Sequence, residues 1–295
     1  MASLALFSAN VLLVGAATQR LSQDLGFLLA LVSNVACAGL VVLGQYVFAR
    51  GSMPPPEWDA LAWFAVGGLL TSYLGRWFFF RSVTVIGPTR ASALQITNPV
   101  FAALAAWVVL GESLPPVAAI CGAAVLAGLY LTSRPTTRAG VVTTMPGRRS
   151  PSVVEIGLAL MGAVAYGLGN VARGAGVRDW AAPVVGSLVG ATVALLLHTA
   201  LSGDLRKLPA AVSQADAVGR RLWLLSGLLT IGAQTCLIAA SLYIPVAVAV
   251  VISAGLPIVV LPVSVVFLRR TEAVGPVTGV GALLVLAGVA GLVLS

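Results

Sequence analysis

The side chains best placed to do chemistry in this 295-residue chain are polar groups set inside long apolar stretches. Two are arginines, Arg76 and Arg90; the others are amides, Asn10, Asn34, Gln45, Gln95, Asn98, Asn170 and Gln234. An amide both donates and accepts hydrogen bonds, and a guanidinium presents a fork of N–H groups that matches a carboxylate or phosphate. Such groups recognise small polar or anionic molecules and do not by themselves break bonds. The patterns that would break bonds are missing: there is no HExxH pair, no aspartate pair at helical spacing, and no Walker or dinucleotide motif. His198, the only histidine, has no acid beside it in sequence and reads as an interfacial or packing residue. Cys37, Cys121 and Cys236 lie in apolar runs without ligand-like neighbours, so they read as small core hydrophobes. Neither an enzyme activity nor a metal or cofactor is expected.

The elements that must position these groups follow from composition. With 59% hydrophobic residues, 9% charged residues and a mean hydropathy of +1.03, a soluble fold of this length would lack the polar surface to cover its core. A lipid-facing surface removes the difficulty. Apolar runs fall at about residues 2–18, 26–48, 59–80, 87–109, 115–132, 153–171, 179–200, 221–242, 244–268 and 274–294. Each approaches the ~17–25 residues a helix needs to cross the bilayer. The expected fold class is an all-α integral membrane protein of about ten transmembrane helices. The first run has no positive charge before it and no small-residue cleavage pattern after it, so it is read as a crossing and not as a signal peptide. Most of the seventeen Lys and Arg behind the net charge of +8 are scattered between the runs without a basic stripe, which argues against nucleic acid.

The chain also repeats. Gly68-Leu69-Leu70-Thr71 recurs as Gly227-Leu228-Leu229-Thr230, Pro99 as Pro257, Glu112 as Glu272, and Val125-Leu126-Ala127-Gly128 as Val285-Leu286-Ala287-Gly288, at shifts of 158 to 160 residues. The expected organisation is a first five-helix repeat over 1–132, a polar connector over 133–152 and a second five-helix repeat over 153–295. Five is odd, so the two repeats enter the membrane from opposite sides and form an inverted pair, with a site between them.

Ile86-Gly87-Pro88-Thr89-Arg90-Ala91-Ser92-Ala93-Leu94, Asn98-Pro99-Val100-Phe101-Ala102-Ala103-Leu104, Leu110-Gly111-Glu112-Ser113-Leu114 and the glycine-rich fifth run ending in Gly128 carry a family resemblance. The chain resembles EamA-like transporters of the drug/metabolite transporter superfamily, which have ten helices in two EamA repeats. The second repeat is weaker: Leu268-Arg269-Arg270-Thr271-Glu272 stands where the usual leucine-glycine-glutamate would be. The resemblance implies transport of small metabolites and both termini in the cytoplasm. Charge points the other way, with twelve basic residues in the loops on one side against Arg50, Arg173 and Arg178 on the side of the termini.

The functional expectation is a secondary transporter or exporter of a small polar metabolite, amino-acid-like or an organic anion, in the cell membrane. The alternatives are a non-transporting membrane scaffold or subunit and, behind it, a membrane-embedded enzyme. The partners are the lipid bilayer and a small-molecule substrate, with a homodimer among the arrangements left open. The cavity candidates are Asn10, Asn34, Tyr73, Arg76, Arg90, Gln95, Asn98, Asn170 and Gln234. On one continuous helix Gln95 and Asn98 would share a face with Ala91 and Ala102, and Tyr73 or Trp77 would give Arg76 a stacking surface. Glu112, followed by Pro115 and Pro116, is expected to stay hydrated and to favour the start of the next helix. All nine acids lie in loops or at run ends, so carboxylate-based proton coupling is not expected.

Overall fold

The structure is a computed structural model that describes residues 1–48, 55–86, 91, 94–113, 115–133, 152–201, 212–255 and 276–294. The regular structure among the described residues is all helical. The helices are α1 (Ala2–Ala17), α2 (Gln23–Phe48), α3 (Trp58–Gly67), α4 (Arg76–Ile86), α5 (Asn98–Leu110), α6 (Pro116–Ser133), α7 (Val153–Asp179), α8 (Pro183–Leu201), α9 (Ala217–Ala240), α10 (Val246–Ala254) and α11 (Pro276–Leu294). A π-helical segment, Gly68–Gly75, joins α3 to α4, so the chain is helical without a break from Trp58 to Ile86.

Local chemistry accounts for many of the ends. Ser152 and Glu155 form a reciprocal capping box at the start of α7, and Asp216 caps α9 by accepting from the Gly219 N–H at 2.7 Å. Prolines open α6, α8 and α11, where their missing N–H costs nothing. Gly111, with φ of 65°, ends α5 in the left-handed conformation that glycine adopts without strain.

Among the described residues, α2, α7, α8 and α9 are each long and apolar enough to cross a membrane, and shorter apolar helices include α1 and α5. Two expected crossings depart from regular α-helix for local reasons. The third contains the π segment. The fourth is interrupted at Ile96 and Thr97, because Pro99 has no N–H for the Gln95 carbonyl and its ring crowds that oxygen. Gln95 and Asn98 stand on either side of this turn, with their side-chain oxygens buried, and Ala91 and Ala102 are buried as well. The expected end of the sixth run at 171 is corrected, since α7 runs to Asp179 with Arg173 inside it. The break between the eighth and ninth runs falls at Ser241–Pro245, as expected.

Large apolar side chains such as Leu40 (70% exposed), Val108 (74%) and Leu283 (66%) face outward, whereas the interior is mostly Ala, Val and Gly. Helices that pack on small residues bring their backbones together, the main source of association where lipid removes the hydrophobic gain. Gly68 lies against the Gly190 backbone, and Gly227 against Ala30. Phe64 covers Gly186, and Trp223 covers Gly26. These contacts are related by an exchange: Gly68 and Gly227, Phe64 and Trp223, and Gly26 and Gly186 are 159 or 160 residues apart. The first half of the chain packs on the second as the second packs on the first. α6 and α11 run antiparallel, since Gly128 meets Gly281 while Gly288 meets Cys121 and Val125. α2 and α8 do so too, since Phe27 meets His198 and Gly39 meets Leu188.

Gly68→Ala and Gly227→Ala each press a Cβ into a backbone that cannot yield, and are expected to destabilise the bundle to similar extents, by about 1–3 kcal/mol. Gly122→Ala, with nothing within 4 Å of the added atom, serves as the control. Thermal unfolding in detergent checks this: two lowered midpoints and one unchanged are the expected result.

Candidate functional site

α7 is the helix around which the polar interior gathers. Its residues Gly162, Tyr166, Gly169, Arg173 and Gly176 recur every three or four positions and so form one face, which meets Phe78, Gly75, Thr71, Gly67 and Phe64 of the helical stretch Trp58–Ile86 in turn. The π segment sits opposite the middle of this face. A π turn is energetically poor and concentrates at functional positions. The break before α5 reaches the same face: the Gln95 Oε1 lies 3.3 Å from where a Cβ on Gly162 would stand, and Gly167 abuts Phe101 and Ala102. Two irregular stretches of backbone, consecutive in the chain, thus converge on one helix. In transporters such discontinuities are tolerated where they line a cavity, and the amino end of a half-helix favours an anion.

Arg173 is the side chain that sequence reasoning missed, because it was placed in a loop. It is 3% exposed; its Nη2 donates to Ser72 Oγ on the π segment at 2.8 Å, and its Nε has no hydrogen-bond partner. Tyr166 and Arg76 are the ionisable groups that act on it electrostatically. Neither Arg173 nor Arg76 forms an ion pair among the described residues. The signal available in sequence was an arginine set among Gly169, Gly174 and Gly176 with no acid between, a pattern of close helix packing and not of a loop.

Arg76 lies over the Phe27 ring, 4.5 Å from its centroid, and Tyr73 packs on the same cluster of Phe27, Leu31 and Ala194. Phe27 is therefore the stacking surface; Trp77, expected as an alternative, is 49% exposed and packs edge-on against Phe78. His198 meets Phe27 in an edge-to-face contact at 5.0 Å, and Asp24, at the start of α2, is an acid close by that sequence order did not suggest. Gln95 Oε1, Asn98 Oδ1 and Gln234 Oε1 are buried without partners, while Asn170 is half-buried next to Gly169. Asn10 and Asn34 join helices: Asn10 accepts from Ser226 at 2.6 Å, and Asn34, with its amide turned to donate, reaches the Ala30 and Gly227 carbonyls at 3.1 and 2.6 Å. Arg90 lies outside the described residues, as do Pro257 and Glu272.

Glu112 is a second departure from expectation. It is not hydrated beside α6; its carboxylate is 8% exposed, accepts from the Val246 N–H at the start of α10 at 3.1 and 3.0 Å, and pairs with Arg178. The cause is the left-handed turn at Gly111, which brings the Glu112 N–H back to the Ala106 carbonyl and aims the side chain across the bundle.

A cation in a bilayer interior costs about 2.5–3.5 kcal/mol on insertion scales, and a hydrogen bond to a charged group returns about 1.5–3 kcal/mol. These nearly cancel. Arg173→Met is accordingly expected to leave stability within about 1 kcal/mol of the parent. Thermal unfolding in detergent reads this out, and a large loss would make the guanidinium a structural pin.

The model of the EamA-like transporter family matches residues 2–134. In three dimensions the chain is similar to a solved structure titled "Crystal structure of protein", with a TM-score of 0.69 and 19% identity over 99% of this chain and 94% of that one. That likeness concerns the fold. No curated protein matches the chain in sequence. EamA-family members are transporters and not catalytic enzymes, and the several apolar helices place the chain in the cell membrane as a multi-pass protein. With the helical bundle and the polar face of α7 in view, residues 2–134 are an EamA-family domain of the drug/metabolite transporter superfamily, and the chain's general function is membrane transport.

Proposed function

We propose that the protein is a secondary transporter or exporter of a small polar metabolite, amino-acid-like or an organic anion, working by alternating access between two inverted five-helix repeats. The repeats are 1–132 and 153–295, joined by the polar connector 133–152, and make ten crossings in all. The observation that carries the reading is the convergence of the π segment and the break before α5 on α7, which sets Arg173 against the π segment and the unpaired Gln95 oxygen against Gly162. The exchange-related packing and the antiparallel α6 and α11 support the inverted repeats. Recognition is assigned to Arg173, Arg76, Tyr73, Gln95, Asn98, Asn170 and Gln234, with Arg90 as a further candidate on sequence grounds. Asn10 and Asn34 serve the packing of α9 against α1 and α2. The anionic class follows from two interior arginines that have no ion pair among the described residues, since a bound carboxylate or phosphate supplies the missing acceptor.

The test is uptake into liposomes of solutes chosen by comparing metabolites in cells with and without the protein. Arg76→Gln and Arg173→Gln should each lower apparent affinity for an anionic solute by about tenfold or more, the loss of one charge-assisted hydrogen bond, and affect a neutral solute far less. Equal effects on both classes would remove the arginines from recognition. A protein that moves none of a broad panel would favour the scaffold reading.

No acid among the described residues sits in the middle of a crossing, so collapsing a proton gradient at clamped voltage should change net flux little. A large voltage-independent loss of uphill uptake would contradict this.

A further inference from the structure

We infer that Glu112 is the latch that holds the bundle shut at the end where α5, α7 and α9 finish, and that it must release for that end to open. The inference rests on the alternating-access reading. Glu112 follows α5 in the first half of the chain, and both of its attachments, Arg178 and the Val246 N–H, belong to the second. The first N–H groups of a helix need an outside acceptor. α7 and α9 obtain theirs locally, from Ser152 and Asp216. α10 begins at Pro245, which gives no side-chain cap, and takes its acceptor from a residue 134 positions earlier in the chain. Satisfying α10 is thus made conditional on the two halves being together.

The position suits a latch. A recess of about 410 Å³ lies beside the pair, lined by Glu112, Ser113, Arg178 and the connection from Ser241 to Pro245. The carboxylate is buried, so on separation it and Arg178 must each exchange the other for water, and the pair therefore favours the closed arrangement only when both partners are present. At the opposite end, the halves are tied by Arg20 and Asp216 at 3.6 Å, but these side chains are 52% and 42% exposed and already wet. One end has a buried, geometrically determined tie, and the other a screened one.

The experiment is labelling by a membrane-impermeant maleimide of the full chain in nanodiscs, with Cys37, Cys121 and Cys236 replaced by Ala and Ser241→Cys reporting on the recess. Ser241 is 4% exposed, so its modification reads opening. Glu112→Gln and Arg178→Gln should each raise the labelling rate about fivefold or more, and the double variant no further, since both remove one interaction. A second reporter, Leu21→Cys at the opposite end, should label no faster; a merely structural fault would raise both. Unchanged labelling at Ser241→Cys in monodisperse variants, or equal rises at both ends, would overturn the latch. If Glu112→Gln does not fold, Arg178→Gln, which leaves the Val246 N–H satisfied, decides alone. The readout needs no solute, so a failure of the transport reading leaves it interpretable.

Discussion

Contact between helix backbones at glycine is the constraint on which this bundle depends. In lipid, burying a leucine against another helix gains little over burying it in acyl chains, so helices associate where their surfaces fit closely. The glycines of α7 supply that fit along its length: Gly162 meets Phe78 and Phe79, Gly169 meets Leu70 and Thr71, and Gly176 meets Phe64 and Ala60. Larger side chains at these positions would hold the stretch Trp58–Ile86 away and open the space now filled by Arg173. The position of Arg173 against the π segment therefore follows from where α7 lacks side chains.

The same glycine contacts show how symmetry of packing coexists with asymmetry of chemistry. Phe64 on Gly186 and Trp223 on Gly26 are equivalent, as are Gly68 on Gly190 and Gly227 on Ala30. At the equivalent of Arg173 stands Leu13, however, and at that of Ser72 stands Ile231. Asn10 and Asn170 are equivalent in position as well, 160 residues apart, yet Asn10 is engaged by Ser226 while Asn170 lies half-buried beside Gly169. The glycine packing is paired between the halves of the chain and the polar centre is not: it lies where the stretch Trp58–Ile86 and the start of α5 meet α7. A rocking motion needs the shared packing; recognition of one solute needs only one set of side chains.

Charges in the described interior follow a consistent pattern. Arg173 and Arg76 are held by a hydroxyl, an aromatic face and helix packing, with no carboxylate paired to either. The buried carboxylate, Glu112, is used at one end of the bundle and is satisfied from two directions. Interior positive charge without a paired carboxylate, and a buried carboxylate spent at one end, is an arrangement that leaves room for an anion.

The membrane class and the positions of many helices were legible in sequence because they rest on local properties. A segment in lipid must satisfy its backbone within itself, so apolar length, proline and glycine suffice to read it. The separation of α9 and α10 at Ser241–Pro245 was read in this way, and Pro99 carried the information that interrupts the helix before α5, although the break itself went unread. What sequence order could not supply was the partner of any interior charge. Arg173 looked like a loop residue until Ser72, 101 positions earlier, was found to accept from it. Glu112 looked hydrated until Val246 and Arg178 were found around it. Side-chain hydrogen bonds across a bundle depend on which helices touch and at what height, and that is decided by the fit of small residues between segments far apart in the chain; only the tertiary structure contains it.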